Sequence, residues 1–135
     1  MASPLAGRRI LVVEDELMVS WLLQDMLTDL GCTVVGPAAR VDEALALIGA
    51  DATSGETIDA AFLDINLDRE MSYPVADVLA ARGVPFVFST GYDRATLLEG
   101  YQSCPMLQKP YHQGALTLAL TSLLAEAQTA LPGAG

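Results

Sequence analysis

Basic residues are scarce in this chain: 7 Lys and Arg stand against 17 Asp and Glu, a formal charge of −10. That balance argues against a nucleic-acid partner, whose phosphates want a basic face, and against an anionic membrane surface for the same reason. Cysteine is nearly lacking. Cys32 and Cys104 form no Cys-x-x-Cys pair and sit in apolar or turn contexts, which predicts reduced structural thiols. Neither Gly-rich phosphate motif, the P-loop nor the dinucleotide fingerprint, occurs. The start "MASPLAGRR" lacks the apolar core of a signal peptide, and no apolar run approaches the length of a membrane span, so a cytoplasmic protein is expected. What is present suits one domain. The 135 residues are 52% apolar and 18% charged, enough to bury a core without staples. A single domain over 1–135 is expected, with its core at about 7–129 and a frayed tail.

Apolar runs and helical stripes alternate along the chain. "RRILVV", "CTVVG", "IDAAFLDI", "VPFVFS" and "CPMLQK" read as strands, the longer ones apolar on both faces. Between them, Val19, Leu22, Leu23, Met26, Leu27 and Leu30 form one helical stripe that Gly31 stops. Val41, Ala44, Leu45 and Ile48 form a second, "SYPVADVLAARG" a third helix with Pro74 in its first turn, and Leu116, Leu120, Leu123 and Ala127 a last stripe. "DRATLLEG" leaves room for only a short helix. The order is βα five times over. It predicts an α/β fold: a doubly wound, five-stranded parallel sheet of flavodoxin-like (βα)5 type, strand order 2-1-3-4-5.

In such sheets ligands bind outside the carboxyl ends of the strands. Glu14, Asp15 and Glu16 follow the first strand, Asp64 the third, Ser89, Thr90 and Gly91 the fourth, and Lys109-Pro110 the fifth. Two carboxylates about 4 Å apart repel by roughly 4 kcal/mol at an effective dielectric near 20. A divalent cation relieves this, and all-oxygen ligands suit Mg²⁺. With Lys109 and a hydroxyl nearby, such a site is built to hold a phosphoryl group, and an Asp can be the nucleophile that takes it. Taken singly, each residue has a plainer reading. Asp64 would be a solvated turn cap, the acids a favourable helix N-terminus, Thr90 a turn hydroxyl. Their joint placement at four successive central strand ends favours the functional one.

In these residues the chain resembles the receiver domain of two-component response regulators over nearly its whole length. The matching positions are Glu14-Asp15, Asp64, Thr90 with small Gly91, and Lys109-Pro110. Within that family it most resembles the single-domain FATGUY group, through "FSTGYD" at Phe88 to Asp93. The resemblance implies that Asp64 accepts a phosphoryl group from a phosphohistidine on a sensor histidine kinase or histidine phosphotransfer protein. It implies Mg²⁺ (or Mn²⁺) held by Asp15, Asp64 and the backbone carbonyl of Asn66, with Glu14 reaching it through water. Lys109 would pair with phosphoryl oxygens, Thr90 would move to hydrogen-bond the group, Gly91 would leave room for it, and the Lys109-Pro110 peptide would be cis. The implied protein is a monomeric phosphoacceptor rather than an enzyme, with only self-catalysed phosphotransfer and slow autodephosphorylation. It would shuttle or drain phosphate or act on a downstream target.

Two departures from the family pattern stand out. Met106 occupies the position where many receivers carry a switch aromatic, leaving Tyr92 or Tyr101 as stand-ins. The segment from Gly91 to Cys104 is short for a full helix and is expected to be mobile. On the first helix, Leu17 and Trp21 lie opposite the core stripe and Met18 on a flank. Beside the phosphoacceptor mouth they suggest a docking face for a kinase's helical bundle; the plainer reading folds Trp21 back over a loop. The last helix has almost no charge, which argues against a salt-bridged dimer. Other function classes fit less well. A haloacid-dehalogenase-type phosphatase wants a second Asp where Asn66 stands, and a flavodoxin-like nucleotide binder would find its phosphate repelled by "EDE". A receiver-fold interaction module that is never phosphorylated would not need Asp64, Thr90 and Lys109 together.

Overall fold

The computed structural model describes residues 5–54, 57–67, 70–90, 106–108 and 113–129. These form β1 (Arg9–Val13), α1 (Leu17–Asp29), β2 (Thr33–Ala38), α2 (Val41–Ser54), β3 (Ala60–Asp64), β4 (Asn66–Leu67), β5 (Glu70–Met71), α3 (Tyr73–Ala81), β6 (Phe86–Thr90), β7 (Met106–Gln108) and α4 (Gln113–Thr129). Five strands make one parallel sheet in the order β2-β1-β3-β6-β7. Numbered among themselves, these five have the expected 2-1-3-4-5 order.

Strand alternation sorts the core into two layers. Successive side chains point to opposite faces, so Leu11 and Val13 of β1, Ala61 and Leu63 of β3 and Phe88 of β6 join α2 (Val41, Ala44, Ile48) and α3 (Val75, Ala76, Leu79). Ile10 and Val12, Ala60 and Phe62, and Val87 face the other way, onto α1 (Leu23, Leu27) and α4 (Leu116, Leu120, Leu123). Each fully buried Leu, Ile or Phe contributes roughly 1.5–3 kcal/mol against exposure. This two-sided burial is why the strands carry continuous apolar runs. Cys32 is a buried free thiol, as expected. Burial, and then the charge of Asp59, push its pKa up, which keeps it protonated and unreactive. Cys104 lies outside the described residues.

The chain is turned at the expected signals. Gly31 follows α1 at φ +87°, a conformation other residues rarely adopt, while its amide donates to the Thr28 carbonyl. Gly36 was not anticipated as special. It sits at φ +100°, inside β2, and an added Cβ would lie 3.0 Å from the Val12 carbonyl oxygen and 3.0 Å from the Ala38 nitrogen. The Gly36–Pro37 peptide is cis; the cis bond expected at Lys109–Pro110 lies outside the described residues.

Several expectations need correction. Leu22 is exposed rather than part of the α1 core stripe; only Leu23 and Leu27 are fully buried there, with Val19, Met26 and Leu30 partly so. Leu22 stands one turn beyond exposed Met18, at the rim of the stripe. α2 runs on to Ser54, well past the stripe that ends at Ile48, and β2 extends to Ala38. The two-stranded antiparallel hairpin β4–β5 was not expected at all. The short helix and mobile segment expected between Gly91 and Cys104 lie outside the described residues. Among the described residues no helix is long and apolar enough to cross a membrane.

Candidate phosphoacceptor and cation site

The parallel register brings the strand ends to one mouth. Val13 lies opposite both Ala38 and Leu63, and Asp64 opposite Ser89. Thr90 in turn lies opposite Gln108, the residue before Lys109. The sheet therefore carries Glu14, Asp15, Asp64, Ser89 and Thr90 to neighbouring positions, as the sequence predicted. Ser89 and Thr90 are the last residues of β6 itself rather than of a following loop.

The three acids form a compact group. Glu14, Asp15 and Asp64 each offer a carboxylate oxygen within 4.8 Å of the others. Glu14 is 3% exposed and Asp64 6%, with Asp15 half-buried. Glu14 is held firmly: its amide donates to the Ala38 carbonyl at 2.9 Å, and its Oε2 accepts from the Glu16 amide at 3.1 Å. Behind Asp64 the Ile65 amide donates to the Ser89 carbonyl at 3.2 Å, and Ser89 itself is buried. Two buried carboxylates and one half-buried one, this close, suit a hard divalent cation with oxygen ligands. Exposed acidic clusters occur without one, but burial raises the cost of leaving these charges uncompensated.

Other predicted site residues are less fully placed. Asn66 is the first residue of β4, two beyond Asp64. The backbones of Thr90 and Met106 lie in β6 and β7. Gly91, Tyr92, Tyr101, Lys109 and Pro110 lie outside the described residues. Trp21 is placed as predicted. Leu17, Met18, Trp21 and Leu22 are 61%, 74%, 56% and 42% exposed and form one apolar face on the first turns of α1, which opens two residues after Asp15. Glu70, discussed below, was missed. Its partner lies 29 residues away, and no local pattern announces it.

Solved structures resemble this arrangement. The solution structure of SdrG from Sphingomonas melonis Fr1 matches with a TM-score of 0.73 at 41% identity, covering 87% of this chain and 97% of SdrG. The response regulator PhyR from Brucella abortus matches at 0.77 and 26% identity, over 96% of this chain but 53% of PhyR. A response regulator receiver protein from Sinorhizobium medicae WSM419 shares the fold at 0.72 and 23% identity, covering 90% and 97%. No family model matches the chain, and no curated protein does.

Proposed function

The chain belongs to the response-regulator receiver family, and from that premise we propose that it is a phosphoacceptor: Asp64 takes a phosphoryl group from a phosphohistidine of a sensor histidine kinase or histidine phosphotransfer protein. The observation that carries this reading is the Glu14, Asp15 and Asp64 cluster at the carboxyl ends of β1 and β3. In the reaction a carboxylate oxygen of Asp64 attacks phosphorus. The P–O bond forms as the P–N bond to imidazole breaks, and the released imidazole nitrogen keeps the electron pair and takes a proton from water. Asp15, Asp64 and the Asn66 backbone carbonyl would hold Mg²⁺ or Mn²⁺, with Glu14 behind them. Such a cation would neutralise charge on the phosphoryl oxygens. Lys109 would pair with the same oxygens and Thr90 would hydrogen-bond the transferred group. The FATGUY assignment rests on "FSTGYD" and belongs to this proposal, as does a cytoplasmic, monomeric protein that acts through partners.

The test is an intact mass after incubation with Mg²⁺ and a small phosphodonor. A gain of one phosphoryl group, absent in Asp64→Asn, is expected. Steady turnover of phosphomonoesters would point instead to a phosphatase, and no gain with any donor or kinase to a binding module.

The apolar face of α1 gives the phosphodonor a place to dock. A helical bundle presenting its histidine to Asp64 would lie against Leu17, Met18 and Trp21, and exposed aromatics with apolar neighbours are frequent hot spots. Trp21→Ala is expected to slow transfer from the cognate kinase about tenfold or more. Reaction with a small phosphodonor, which needs no docking, should be unchanged. Equal kinase rates in the two proteins would rule the face out.

A further inference from the structure

We propose that Glu70 is a positioning residue for the cation site, acting through the β4–β5 hairpin as a strut between Asn66 and the first turn of α2. This rests on the reading of the Asn66 carbonyl as a cation ligand. The hairpin starts two residues after Asp64. It pairs Asn66 with Met71 and Leu67 with Glu70, and the Ser72 amide closes it onto the Ile65 carbonyl at 2.9 Å. A ladder of two residues on each side is not stable alone, so tertiary anchors must hold it.

Two anchors are present. Leu67 is 1% exposed and shares a core cluster with Val41, Ala44 and Tyr73. Glu70 Oε2 accepts from the Val41 amide at 3.4 Å. Val41 is the first residue of α2, so its amide is among the four that a helix cannot satisfy internally, and a carboxylate there meets the positive end of the helix dipole. The acids of that first turn accept from other groups than the Val41 amide: Glu43 Oε1 from the Ala39 amide at 2.9 Å, Asp42 Oδ2 from Arg40 at 3.0 Å and Asp42 Oδ1 from the Glu43 amide at 2.9 Å. Glu70 thus caps α2 from a distant strand. In doing so it fixes the strand paired with the one that presents Asn66.

Coupling of this kind is reciprocal. A cation on the Asn66 carbonyl steadies the hairpin and, through Glu70, the Val41 amide. Removing the acceptor oxygen that Glu70 offers to Val41 frees the hairpin and weakens cation binding. The test combines Mg²⁺ titration by calorimetry with amide hydrogen exchange at Val41, in wild type, Glu70→Gln and Glu70→Ala. Mg²⁺ is expected to raise Val41 protection severalfold in wild type and not in Glu70→Ala, whose Mg²⁺ Kd rises about fivefold. Glu70→Gln, which keeps an acceptor oxygen, should stay close to wild type. A plain cap would lower Val41 protection in Glu70→Ala while leaving the Mg²⁺ Kd unchanged, and that result overturns the strut. If wild type binds no Mg²⁺, the cation site and the strut both fall; if it binds Mg²⁺ without added Val41 protection, the strut alone falls.

Discussion

Without divalent cations, Asp15→Asn is expected to be more stable than the wild type by about 1–2 kcal/mol in urea unfolding. Oxygens of three carboxylates lie within 4.8 Å of one another. A pair at that range repels by roughly 3–4 kcal/mol at an effective dielectric near 20. Asp15 is half-buried, and solvent screening reduces the gain to the smaller figure. Saturating Mg²⁺ should reverse the order. A ligand at 100 times its Kd adds about 2.7 kcal/mol to the protein that binds it. The wild type should gain this, while the variant, short of one ligand, gains little. Equal stabilities without cation and equal gains with it would mean that the cluster neither stores repulsion nor binds the ion.

Phe88→Ala is expected to lower the unfolding free energy by about 4 kcal/mol, the range for emptying a buried phenylalanine site. Phe88 is fully buried and meets two rings edge-on, Tyr73 at 5.8 Å between centroids and Phe86 at 5.4 Å. Such pairs add about 0.5–1.5 kcal/mol each beyond their burial. Domains of this size have only about 5–15 kcal/mol in total, so the variant should melt many degrees lower. The effect also reaches the site. Phe88 directly precedes Ser89 and Thr90 on β6, and its stack with Tyr73 ties that strand end to the start of α3. Phe88→Leu, which keeps most of the volume, should lose far less. Thermal unfolding of the two variants checks the difference; equal melting temperatures would mean that the volume kept by leucine contributes nothing.

Much of this arrangement was legible in the sequence because its causes are local. Apolar runs such as "ILVV" and "AAFL" must be buried on both faces, which forces a parallel sheet and so delivers Glu14 and Asp64 to a common end. What stayed illegible depends on tertiary contact. The strands β4 and β5 are two residues long, too short to show any period. Leu22 fits a core stripe by spacing, yet the spacing cannot say how wide a stripe the sheet will cover. Glu70 looks like a solvated acid until the fold sets it against Val41. Leu17, Met18 and Trp21 were readable as a face opposite the core because the α1 stripe defines its own reverse side.

The central claim, that Asp64 carries the phosphoryl group, is tested most directly by trapping the acyl phosphate. The protein is incubated with Mg²⁺ and a small phosphodonor, reduced with borohydride and mapped by peptide mass. An aspartyl phosphate is reduced to homoserine, so homoserine is predicted at position 64 and at no other acid. Unreduced Asp64 in a protein that has gained a phosphoryl group, or homoserine at Asp15 in its place, would contradict the account.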